Sequence, residues 1–93
     1  MGTLFSAFKT LKRVMSGKVV EQVDIRANGG LTTMSLRLKR DTASDEYYVV
    51  LAELSAGNSQ YVAFTKDEFG QFSRAVSGIQ NLLREHSPEA PEI

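Results

Sequence analysis

Residues 45–86 read DEYYVVLAELSAGNSQYVAFTKDEFGQFSRAVSGIQNLLREH, and this stretch decides the fold. Tyr47 to Leu54 is β-branched and aromatic enough for a strand, and Gln60 to Thr65 repeats the pattern. The turn-rich pentapeptide from Ser55 to Ser59 between them suits a hairpin loop. At the second join Thr65-Lys66-Asp67-Glu68 has the S/T-x-x-E form of a capping box. The Thr65 hydroxyl can accept from the Glu68 amide while the Glu68 carboxylate reaches back to the Thr65 amide. The apolar residues beyond it, Phe69, Phe72, Val76, Ile79 and Leu83, recur at helical spacing and define one face of a long helix.

Working outward, Lys18 to Arg26 alternates as a strand, with Val19, Val23 and Ile25 on one face and Val20, Gln22, Asp24 and Arg26 on the other. Asn28-Gly29-Gly30 is the strongest turn signal in the chain, because Asn and Gly tolerate positive φ. In the next strand Met34, Leu36 and Leu38 alternate with Thr33, Ser35, Arg37 and Lys39, so one face is apolar and the other polar and basic. Residues Arg40 to Asp45 make a polar turn into the Tyr47 strand. Short loops make successive strands antiparallel neighbours. The expected fold is α+β: a four-stranded antiparallel sheet with one C-terminal helix across one face, in the order β-β-β-β-α. If the helix covers the Val49 and Leu51 face, Tyr48, Val50 and Ala52 lie on an open face beside Tyr61 and Ala63. So apolar an open face asks for another subunit or for stacked bases.

Ninety-three residues, 42% hydrophobic and 24% charged, bound a single small soluble domain with a thin core. We divide the chain into a basic amphipathic helix or arm at 1–17, the folded domain at 18–86 and an acidic, Pro-broken, disordered tail at 87–93. In the arm Leu4, Phe8, Leu11 and Met15 fall on one side of a helix. Docking on this domain or on a protein partner is the first reading of that stripe. A membrane-surface or organelle-targeting helix is the second, since no acid precedes Glu21. Gly2 to Ser6 also fits the short myristoylation pattern. No apolar run is long enough for a transmembrane helix. The absence of cysteine fits a reducing, intracellular setting.

Net charge is zero, but its distribution is uneven. Through Arg40 eight basic residues face two acids, and from Asp41 onward three face nine. The basic half suits phosphate and the acidic half repels it. Catalytic chemistry has little to work with. His86, the single histidine, sits at the end of the last helix, where a positive charge suits the helix dipole. With no cysteine and no second histidine, nucleophilic triads and zinc sites lack their parts. Asp45-Glu46 and Asp67-Glu68 are explained by a strand start and a helix cap. No enzyme activity and no cofactor are expected. A sheet face carrying Arg26, Arg37, Lys39 and Tyr48 remains, where cations can neutralise phosphate and aromatic rings can stack single-stranded bases.

These elements resemble the PUR-repeat family, the purine-rich-element-binding proteins and their single-repeat bacterial relatives. The likeness spans about residues 18 to 85. It rests on Tyr47-Tyr48-Val49-Val50-Leu51-Ala52-Glu53, on the join Phe64-Thr65-Lys66-Asp67-Glu68-Phe69, and on Val23-Asp24-Ile25. The resemblance implies a curved four-stranded sheet crossed by one helix, pairing of two repeats, and hence a homodimer for a chain with one repeat. It also implies binding of single-stranded DNA or RNA through sheet residues, which carries over best to Arg37 and Lys39 and then to Arg26 and Tyr48. Val50, Ala52, Tyr61 and Ala63 would form the dimer interface. The second strand departs from the pattern, with Met34 to Leu38 standing where the family is rich in aromatics. Single-stranded-DNA-binding transcription coactivators and the Alu-domain proteins of the signal recognition particle combine sheet and helix in similar ways. A non-enzymatic protein-interaction subunit, docked through its N-terminal helix, is the alternative function.

Overall fold

The computed structural model describes residues 16–87. The arm stripe Leu4, Phe8, Leu11 and Met15 lies outside them, as does the tail beyond Ser87. Strands β1 (Lys18–Ala27), β2 (Thr32–Arg40), β3 (Tyr47–Ser55) and β4 (Asn58–Phe64) form one antiparallel sheet in the order β1-β2-β3-β4, followed by helix α1 (Lys66–Glu85). This is the architecture expected from the alternation and the short connections.

Each connection has a local cause. Between β1 and β2, Asn28, Gly29 and Gly30 take φ of 54°, 66° and 88°, three successive left-handed residues that only Asn and Gly adopt at low cost. Between β2 and β3 the Asp41 carboxylate accepts from the Ala43 amide at 2.9 Å, and Arg40 pairs with Asp45 at 2.6 Å. The β3–β4 hairpin is tighter than the expected five-residue loop. Ser55 pairs directly with Asn58, which leaves Ala56 and Gly57 as a two-residue turn with Gly57 at φ 72°. Asn58 and Ser59 therefore belong to β4.

The start of α1 is capped as its sequence asks. Glu68 N–H donates to Thr65 Oγ1 at 3.2 Å and Thr65 N–H donates to Glu68 Oε1 at 2.9 Å. Phe64, at the end of β4, stacks on Phe72 with centroids 5.0 Å apart and meets Phe69 edge-on at 5.8 Å, which fixes the first half of the helix against the sheet. Replacing Thr65 with Ala removes one arm of the box and is expected to cost about 1 kcal/mol in urea denaturation.

Register assigns the two faces. The helix side carries Val23, Ile25, Met34, Leu36, Leu38, Val49, Leu51, Val62 and Phe64, and the far side carries Gln22, Asp24, Arg26, Ser35, Arg37, Lys39, Tyr48, Val50, Ala52, Tyr61 and Ala63. One expected assignment changes. A β-bulge between Val19 and Glu21 pairs Val19 with Lys39, so Val19 shares the far face and not the face of Val23 and Ile25. An extra residue in one strand inverts every side chain before it.

Burial is also inverted relative to expectation. Tyr48, Val50, Ala52, Ser35 and Lys39, all on the far face, are at most 5% exposed. Among the described residues the helix-side face buries only Thr32, at its end beside the Asn28–Gly30 turn, and α1 buries none. The chain entering β1 lies on the far face, where the Tyr48 hydroxyl donates to the Ser16 carbonyl at 3.1 Å. Gly17, at φ 81°, sits so close that a Cβ there would collide with that hydroxyl.

Candidate association site

The far face contains the four residues expected to bind nucleic acid, and the fold gives each of them work inside the chain. Arg26 donates through Nη1 to the Gly30 carbonyl at 3.0 Å, clasping the turn that follows its own strand. Arg37 is half-buried and donates through Nε to Ser35 Oγ at 3.1 Å. Lys39 is 5% exposed, and its ammonium is pushed below its ordinary range first by burial and then by the charge of Arg37. Tyr48 is buried with its hydroxyl engaged by Ser16. The ring thus lacks the open surface that base stacking requires.

A carboxylate sits in this basic row. Asp24 pairs across β1–β2 with Ser35 and accepts from Gln22 Nε2 at 3.1 Å. Hydrogen bonds from Ser35 and then Gln22 hold its carboxyl below the usual range, and the charge of Arg37 adds to them. Asp24 and Arg37 lie on adjacent strands of the same face, so the local field is mixed rather than uniformly positive. The strand alternation already placed Asp24 there; its partnership with Ser35 follows only from register.

The four residues expected at a dimer interface divide. Val50 and Ala52, at 1% and 0% exposure, are not the open surface expected of them. Tyr61 is 40% exposed and Ala63 is half-buried, both on the outer strand β4. Of the four, only those two are open to contact with a second chain.

The open apolar surface is on the helix side. The helical spacing of Val76, Ile79 and Leu83 led us to expect them packed on the sheet, yet they are 49%, 65% and 64% exposed. On the sheet Val23 and Ile25 are each 59% exposed. Between the two walls runs a cleft of about 340 Å³, lined by Ile25, Met34, Leu36 and Leu51 from the sheet and by Phe72 and Val76 from α1. The aromatic contacts of Phe64 hold the helix at β4, and a helix of twenty residues is about 30 Å long, twice the width of four strands. The second half of α1 thus leaves Val76, Ile79 and Leu83 largely exposed, and β1 leaves Val23 and Ile25 exposed in the same way, while Met34, Leu36 and Leu38 of β2 are half-buried. This surface was missed in sequence because periodicity identifies a face and not its neighbour.

Among the described residues no group of three acidic, histidine or cysteine side chains could hold a metal ion, and no helix is long and apolar enough to cross a membrane. No family model, curated protein or solved structure matches this chain.

Proposed function

We propose that this chain is a non-enzymatic association module whose helix-side core is completed by a second copy of itself. The observation that supports this reading is the pair of exposed apolar surfaces in one chain: Val76, Ile79 and Leu83 on the second half of α1, and Val23 and Ile25 on β1 beside an open cleft. Under a two-fold axis the second half of α1 from each chain lies on β1 and β2 of the other, so one operation satisfies both deficits. Burial at about 25 cal/mol per Å² supplies the driving force that so small a domain lacks alone. The resemblance to the PUR repeat points the same way, to a unit that works in pairs.

Single-stranded nucleic acid is the rival partner, and one experiment separates the two. Solution mass is measured at low and high salt, with and without single-stranded DNA and RNA. The association reading expects an even number of chains at both salt concentrations and no saturable oligonucleotide binding. Binding that weakens steeply with salt, by a chain that is monomeric without it, would sink the reading in favour of a nucleic-acid module.

A further inference from the structure

We infer that the outer edge of β4 is a second, separate contact, at which β4 of one copy pairs antiparallel with β4 of another. The two edges of the sheet are built differently. β1 carries Lys18, Glu21, Asp24 and Arg26 along its length and is kinked by the bulge at Val19–Glu21. Charges and bulges are what keep an exposed strand from pairing with a foreign one. β4 has neither. Asn58-Ser59-Gln60-Tyr61-Val62-Ala63-Phe64 contains no charge and no proline, and its register with β3 runs from Ser55–Asn58 to Val49–Phe64 without a break.

Among the described residues only β3 pairs with β4, and Asn58 through Val62 are exposed. Seven uncharged residues in unbroken register, whose outer amide and carbonyl groups pair with no other described strand, form a template for strand addition. The sequence of β4 suits itself as the added strand. With Tyr61 at the two-fold axis, Tyr61 meets its own copy, Ser59 meets Ala63 and Gln60 meets Val62. No like charges face each other in that register, and the tyrosine rings form an aromatic cross-strand pair. Tyr61, exposed, and Ala63, half-buried, the two accessible members of the expected dimer interface, both lie on this strand. Joining the edges makes one eight-stranded sheet. The contact does not involve the cleft beside α1, so it stands or falls independently of the association proposed there.

The test is Tyr61→Lys, which sets two ammonium groups opposite each other at the axis. Two distinct two-fold contacts require at least four chains in the wild-type particle. Light scattering is expected to give that mass for wild type and half of it or less for Tyr61→Lys, with an unchanged circular dichroism spectrum. Hydrogen exchange at β4 is expected to be slow in wild type and fast in the variant. An unchanged mass together with unchanged β4 protection in a folded Tyr61→Lys overturns the inference. Should Tyr61→Lys misfold, Val62→Lys, on the other face of the same strand, carries the same expectation. Ile79→Glu with Leu83→Glu reports on the α1 contact alone, so failure of one contact is distinguishable from failure of the other.

Discussion

Ile79→Glu combined with Leu83→Glu is expected to halve the solution mass of the protein while leaving its secondary structure intact. Both side chains lie on the second half of α1 at 65% and 64% exposure, so the isolated fold loses little when they become polar. Glutamate is also as good a helix former as the residues it replaces. A two-fold contact uses each position twice, and burying an Ile or Leu side chain is worth about 1.5–3 kcal/mol. Four lost side chains therefore amount to roughly 6 kcal/mol even at the low end, about four decades in dissociation constant. Desolvating four carboxylates adds to the penalty. The variant should also lose the dependence of its thermal midpoint on protein concentration that the cleft contact confers. A double variant with wild-type mass and wild-type concentration dependence would mean that the second half of α1 is not an interface. Adding Tyr61→Lys to it should yield a monomer.

Much of this fold is legible in the sequence because its signals are local. Asn28-Gly29-Gly30 needs no tertiary context to turn, and Thr65 with Glu68 closes a cap from four consecutive residues. The β3–β4 hairpin is tighter than composition implies, since Asn58 and Ser59 look like loop residues yet complete the ladder opposite Ser55 and Leu54. The bulge at Val20 had no signal, because a bulge is a property of a pair of strands and only one of them is read at a time. The site fared worse for a more general reason. A period of two states which residues share a face, and register bears this out for Tyr48, Val50, Ala52, Tyr61 and Ala63. It does not state which layer covers that face. The expectation that α1 would seal one side and leave the other open followed from treating the helix as a lid. In the fold α1 is held at β4 through Phe64, and the far side is the one buried along β2 and β3.

Ala52→Arg is expected to unfold the domain, and the reason separates a buried far face from an open basic platform. Ala52 is wholly inaccessible at the centre of β3, opposite Ser35 on one side and Tyr61 on the other. An arginine there must displace whatever contacts the methyl group, and its guanidinium joins a face that already holds Arg37 and Lys39. Asp24, in the same cross-strand row beyond Ser35, is already engaged by Ser35 and Gln22. An uncompensated charge at a buried position costs about 3–5 kcal/mol. A domain of this size has about 5 kcal/mol to lose, at the low end of the range for folded proteins. Circular dichroism and urea titration should accordingly show a chain that is largely unfolded in buffer, or nearly so. On an open platform the same substitution would behave in the opposite way: the long side chain would extend into solvent, the urea midpoint would barely move, and affinity for single-stranded oligonucleotides would rise with the added cation. A folded Ala52→Arg with increased oligonucleotide affinity would thus restore the far face as the working surface. An unfolded one removes the far face as a working surface and leaves the helix side and the β4 edge as the proposed contacts.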